Sequence, residues 1–251
     1  MKYLTFIFIG LIFHSLIKSQ DVDLSDKWIK SFETNSGYIE LDRNKFVKID
    51  FSKILSNQLR IENDPISTYI GIFGQYYHRI DFHLEVIKNG QDYSVTGKSK
   101  LGDNVRDLNG IMRLEKVLLI KDHFLDSLFI GLFDCTLREP GDRDGDGVFS
   151  GVFTLVFYKK NSDVQFFSSD SGDEPTFTNT FVGKWTKNNS NVERKVIFSF
   201  HPAGLYKKLP FCEELYTFEE FEDFIVIKDK YKKYGWMDFN PHRGQKTDWW
   251  K

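Results

Sequence analysis

The residues best suited to hold a cation lie in one hexapeptide, Asp142-Arg143-Asp144-Gly145-Asp146-Gly147. Hard cations take several oxygen ligands at about 2.4 Å, and alternate carboxylates around a glycine-bearing turn can converge on one ion in the manner of the first half of a calcium loop. Val148 would add its carbonyl. The position that would bring a bidentate Glu in a helix-loop-helix site holds Phe153, so Glu139 is the nearest candidate to complete a calcium site. The competing reading is a solvated hairpin loop, because Asp and Gly are the usual turn residues. Calcium is the one cofactor this sequence suggests, and the fold requires none.

Other reactive side chains combine less well. Asp81, His83 and Glu85 share one strand face, but their backbones step by about 6.6 Å, and Ile80, Phe82, Leu84 and Val86 make the opposite face the dry one. Gly97-Lys98-Ser99 resembles the end of a phosphate loop, yet Asp92 stands where that loop needs glycine and no helix follows. Neither a Ser-centred elbow nor His-Glu-x-x-His occurs. The chain therefore reads as non-enzymatic, and an extracytoplasmic hydrolase built on scattered carboxylates is the alternative. Cys135 and Cys212, the two cysteines, read either as one disulfide or as two buried thiols.

The elements that would position these groups follow from composition. The 251 residues hold 34 Lys and Arg against 36 Asp and Glu, so there is no broad cationic field and no nucleic-acid partner is expected. Phe occurs 25 times and Ala once, at Ala203, a bias toward sheet and away from helical bundles. Met1–Ser19 begins with Lys2, runs through the apolar stretch Tyr3–Phe13 and closes on Leu16-Ile17-Lys18-Ser19, a secretory leader cleaved after Ser19. No later stretch is long and uncharged enough to span a bilayer, so the mature chain is expected in the periplasm, at the cell surface or in the medium.

A triplet of large apolar residue, any residue and glycine recurs at Tyr69-Ile70-Gly71, Val95-Thr96-Gly97, Leu108-Asn109-Gly110, Phe129-Ile130-Gly131, Phe149-Ser150-Gly151 and Phe181-Val182-Gly183. In a strand, residues two apart share a face, so each triplet sets a bulky side chain beside an empty position. Small closed barrels need that arrangement, since glycine lets a strand coil while neighbours fill the space. Arg79–Val86 alternates polar and apolar, Asn89-Gly90 marks a hairpin, and Tyr93–Ser99 returns. Leu108–Leu114, Val117–Ile120, Leu128–Leu137, Val148–Tyr158, Thr176–Thr186 and Arg194–His201 continue the series. The expected fold is all-β, an antiparallel up-and-down meander closing into a barrel of about eight strands with small N- and C-terminal extensions.

Over Ser67–Pro202 this text resembles small secreted lipocalin-like and streptavidin-like barrels of bacterial type, and Phe181-Val182-Gly183-Lys184-Trp185 is similar to their Gly-x-Trp strand signature. The resemblance implies a barrel with a ligand mouth, where Trp185, Phe129, Phe149 and Phe181 would line the interior against a small ligand or else simply fill a solid core, an eight-stranded barrel being wide enough for either; a protein partner is the other candidate. The domain reading is a leader at 1–19, an N-terminal extension at 20–66, the barrel at 67–208 and an aromatic C-terminal extension at 209–251. Within the extensions, Tyr38–Leu41 and Phe46–Phe51 read as strands, Phe218–Phe224 as a helical turn and Phe224–Ile227 as a short strand. A structural role in a surface complex would expose an apolar patch around Trp236, Trp249 and Trp250.

Overall fold

The structure, a computed structural model, describes residues 23–56, 60–61, 64–65, 68–121, 127–141, 143–160, 163–167, 179–200, 205, 209–219, 224–239 and 249–251. Residues 1–19, read above as a leader, and Asp142 lie outside them. The strands are β1 (Tyr38–Leu41), β2 (Arg60–Ile61), β3 (Asp64–Pro65), β4 (Tyr69–Phe73), β5 (His78–Asn89), β6 (Asp92–Leu101), β7 (Asn104–Ile120) and β8 (Leu128–Arg138). They continue with β9 (Gly147–Lys160), β10 (Asp163–Phe166), β11 (Thr180–Lys187), β12 (Glu193–Ser199), β13 (Tyr216–Glu219) and β14 (Phe224–Ile227). Helices α1 (Leu24–Glu33), α2 (Ser52–Leu55), α3 (Pro210–Glu213) and α4 (Asp229–Tyr231) are short.

Eight strands, β4 to β9 with β11 and β12, pair antiparallel with their sequence neighbours, and β12 pairs back onto β4 through Val196 opposite Phe73. The meander is thus a closed, barrel-like ring. Two of its hairpins turn on two residues, Gly90-Gln91 and Gly102-Asp103, with glycine first at φ +64° and +59°. That is the backbone a right-twisted hairpin favours. The turn lies one residue beyond the Asn89-Gly90 expected from the sequence. Leu108–Leu114 and Val117–Ile120 are a single strand, β7, with a bulge between Leu114 and Lys116. The bulge keeps Leu114 and Val117 both in the interior core although they are three positions apart, an odd offset that would otherwise send them to opposite faces.

Strands β7, β8 and β9 outrun the ring at one end, here called the lower end. There β1 takes over the edge of β7 that β6 leaves, and β10 takes over the edge of β9 that β11 leaves.

Inside the ring, all six triplet glycines share the inward face with their bulky partners. At Gly71, Gly97, Gly110, Gly151 and Gly183 an added Cβ would fall within 2.4 Å of a carbonyl oxygen on the neighbouring strand. The adjoining strands have moved into the space a side chain would need. Phe82, Phe149, Phe153, Phe181 and Phe198 fill the middle, with Phe181 stacked on Phe198 at 4.6 Å and Phe82 meeting Phe149 edge-on at 5.2 Å.

The lower end is stoppered by the chain's own N-terminal segment. Residues 46–51 are turns rather than the expected strand, and Asp50 accepts from the Ser52 backbone N–H at the start of α2. Phe51 is fully buried, with its ring against Tyr93, Phe133 and Phe157. A buried turn needs partners for its carbonyls. Lys88 Nζ donates to Val47 and Ile49, Tyr93 Oη to Ile49, Asn179 Nδ2 to Ile54 and Tyr69 Oη to Leu55, all at 2.7–3.0 Å.

A second core lies outside the wall. Trp28 and Phe32 of α1, Leu209, Cys212, Leu215, Tyr216 and Trp236 cover Ile72, Ile130, Val152, Val156, Val182 and Ile197. Trp28 Nε1 donates to Thr154 Oγ1 at 2.8 Å. Trp236 Nε1 donates to the Tyr77 carbonyl, and Arg79 joins Asp81 at 2.9 Å and Asp238 at 3.3 Å, tying the C-terminal segment down.

One expectation for the C-terminal segment is corrected here, and of the two readings of the cysteines the buried thiols hold. Phe218 and Phe224, expected in one helical turn, lie instead in the paired strands β13 and β14, and Phe221 lies outside the described residues. Cys135 and Cys212 are free, because Cys135 faces the interior while Cys212 packs outside the wall. Trp236 is buried, and Trp250 stacks on His83 at 4.5 Å, so the tryptophans do not form one exposed patch.

Candidate functional site

The upper end of the ring carries the hexapeptide loop, between β8 and β9. Glu139, 6% exposed, accepts hydrogen bonds from Trp185 Nε1 at 3.0 Å, the Gly147 N–H at 2.9 Å and Ser99 Oγ at 3.2 Å. Asp146, fully buried, accepts from Arg106 Nε at 2.9 Å and the Arg143 N–H at 3.0 Å. Asp144 lies at the surface, paired with Lys187. Val148 is within β9, opposite Arg138 and Thr186. Each described carboxylate of the suggested calcium set is therefore met by protein donors, and among the described residues no three His, Cys, Asp or Glu side chains are gathered as ligands. Asp142 is outside them.

The two buried carboxyls titrate in opposite directions. Burial pushes Glu139 above the usual carboxylate range despite its donors. Burial opposes ionisation of Asp146 too, but the hydrogen bonds from Arg106 and Arg143 outweigh it and hold that carboxyl low. A divided pair of this kind can serve acid–base chemistry. Here both groups are enclosed and engaged, with neither among the residues lining the hollows described below, so the pair reads as the lock of the upper end.

A pH test follows from Glu139. Its folded-state affinity for a proton exceeds its unfolded one, so its share of stability is full below about pH 4 and is lost as pH rises through the raised value. In Glu139→Gln that loss disappears, while the amide keeps an acceptor for Trp185 and Gly147 and a donor for Ser99. Urea midpoints of the variant should gain on those of the unsubstituted protein from about pH 4 toward neutrality and match them below. A constant gap across that range would contradict the assignment.

The four residues expected to line a ligand mouth are distributed along the ring. Trp185 stands at the upper end beside Phe73, Phe149 and Phe181 in the middle, and Phe129 at the lower end against Phe157 and Phe46. Each packs on a neighbouring ring.

Among the described residues, two hollows lie on the outside of the ring, over inward glycines. One hollow of about 530 Å³ lies on the outer face of β6, β7 and β8 around Gly110, between Thr96, Asn109, Ile111, Thr136 and Arg138. The other, about 520 Å³, lies over Gly183 on β11 and β12, closed on its sides by the start of α1, the 74–77 turn and α3. Where strands converge through a missing Cβ, the wall dips inward and the exterior is left dished.

The Gly183 hollow has the richer chemistry. Tyr77 and Phe211 make one wall, stacked at 4.8 Å. Tyr77 holds φ +58°, an uncommon conformation for a bulky residue that is maintained by Trp236 bonding its carbonyl. Burial, with Tyr231 and Glu214 nearby, pushes its phenol up to about 12, so it is a neutral hydroxyl near neutral pH. Lys184 and Lys195 are register partners on the facing wall. Lys184 reaches Glu193 at 2.7 Å and Asp23 at 3.9 Å, and Lys195 Nζ lies 5.9 Å over the Phe211 ring.

None of these four side chains is assigned a role by the sequence, and one of them alone carries a signal there. Lys184 was marked by its place between Gly183 and Trp185, where alternation sends it outward. Tyr77 and Phe211 carry no such signal because they come from a turn and a distant extension. Comparison of the chain with protein-family models, with curated proteins and with solved structures finds no match in any of the three.

Proposed function

We propose that this is an exported, non-enzymatic binding protein that uses its ring as a solid scaffold and takes a small ligand in the outer hollow over Gly183. The observation that carries the reading is that hollow, of a volume that suits a small organic ligand, lined by a stacked aromatic pair and by charged groups from β11, β12 and the start of α1. The inward aromatic positions, by contrast, are spent on one another and on the stopper. The likeness to lipocalin-like and streptavidin-like barrels supports a binding role, and the apolar run Tyr3–Phe13 supports export. Among the described residues no helix is long and apolar enough to cross a membrane.

Native mass spectrometry of the protein purified from its expressing cells tests both parts. The expected result is a polypeptide beginning at Gln20 that carries a small organic mass, with that mass lost in Phe211→Ala and kept in Trp185→Phe. Retention in the first variant and loss in the second would move the ligand to the interior and overturn the proposal.

A further inference from the structure

We infer that the other hollow, on the outer face of β6, β7 and β8 over Gly110, binds a neutral glycan, a short chain of sugar rings whose hydroxyls meet Asp134, Thr136, Arg138 and Asn109 while an apolar ring face rests on Ile111. This site is separate from the hollow over Gly183, so either can fail without the other.

Strand register leaves its polar groups uncommitted. Arg113 gives both of its guanidinium contacts to Asp92 on β6, at 3.0 and 3.1 Å, and none to Asp134, its register partner on β8. Arg138 stands opposite Asn109 rather than a carboxylate. Among the described residues, the side chains of Thr96, Asn109, Asp134, Thr136 and Arg138 make no hydrogen bond or ion pair. On a flat face such groups would simply point to water. Here an added Cβ at Gly110 would lie 2.1 Å from the Thr136 carbonyl oxygen, so the strands close up, the wall dishes, and the five border one volume of about 530 Å³. Ile111, in register with Ser94 and Thr136, is 52% exposed among them.

Charge, hydrogen bonding and shape select the ligand. One uncommitted cation and one uncommitted anion leave no net charge to draw an ionic molecule. An extended peptide cannot add as a strand, because β6, β7 and β8 are each paired on both sides. An apolar ligand would cover five polar side chains without bonding them. Sugar rings carry both features required, a rim of hydroxyls that donate and accept, and faces of C–H groups that can lie on Ile111. Asp134 and Arg138 are four residues apart on β8, about 13 Å, so more than one ring is needed to join the acceptor at one end to the donor at the other.

The test applies the folded full-length protein to a printed array of neutral and acidic oligosaccharides and follows those retained by calorimetric titration. Neutral oligosaccharides should be retained, more tightly than their single sugars and with little dependence on salt. Arg138→Ala and Asn109→Ala should each weaken them at least about tenfold and leave the thermal midpoint in place, since neither side chain has a described partner to lose. Phe211→Leu, in the other hollow, should change nothing. Retention of acidic glycans alone, lost in Arg138→Ala, would overturn the neutral class. Binding indifferent to both substitutions would overturn the site, and an array with no glycan retained would overturn the inference altogether.

Discussion

Gly183→Ala is expected to destabilise the protein by about 3 kcal/mol or more, the upper part of the range for overpacking a closed core. Gly183 lies opposite Gly151, and a Cβ there would sit 2.3 Å from the Ser150 carbonyl oxygen and 2.8 Å from the Gly151 Cα, both backbone atoms. Neither can swing aside as a side chain end can. Strands β9 and β11 would have to separate, and in a closed ring that displacement passes to every neighbour. For a chain of this size the thermal midpoint should fall by roughly 6–12 °C. Gly131→Ala is the control, since its nearest neighbour is the edge of the Phe133 ring at 3.0 Å, which can rotate. It should lower the midpoint far less. Equal effects at the two positions would show that glycine is needed for chain flexibility rather than for strand approach.

Phe51→Ala should lose about 3–5 kcal/mol in equilibrium urea unfolding, the range for removing a fully buried aromatic ring. Phe51 belongs to the N-terminal extension, outside the ring strands, so an ordinary surface tether would forfeit under about 1 kcal/mol. The large value is expected because its ring closes the lower end against Tyr93, Phe133 and Phe157. The hydrogen bonds from Lys88 and Tyr93 to the 47 and 49 carbonyls fix the surrounding backbone, so the vacancy cannot collapse. A loss below about 1 kcal/mol would mean that the segment decorates the ring without completing it.

The ring was legible in the sequence because its cause is local. The two-residue alternation of Arg79–Val86 and the large-x-glycine triplets each state, within a few residues, which side faces inward and where the neighbour must come close. The stopper was not legible. Phe46, Phe51, Ile54 and Leu55 are buried from turns and a single helical turn, so their spacing follows no period, and alternation around Phe46–Phe51 suggested a strand instead. Phe218 and Phe224 sit at a spacing that fits a helix about as well as a hairpin, and only pairing between β13 and β14 decides it. The cysteines stayed undecided for a different reason. Two thiols fit a bridge by count, but which face of the wall each occupies is a tertiary fact. That Arg106 of β7 and Lys187 of β11 meet the carboxylates of the hexapeptide loop is likewise a tertiary fact, which the spacing within that loop does not show. The hollow over Gly183 is assembled from segments as far apart as Asp23 and Phe211, which no short window can join.

The seam between β4 and β12 joins the first and last staves of the ring, so Phe73 must wait for Val196 before either has its native neighbour. Topologies dominated by such distant pairings acquire them slowly, since the entropy of joining remote segments is spent before the contacts repay it. A nascent chain emerging from its amino end would therefore hold an unclosed, sticky ribbon until most of it had been delivered. Its productive maturation should depend on whatever shields that ribbon in transit, and truncation just before β12 should yield aggregates rather than a smaller folded protein.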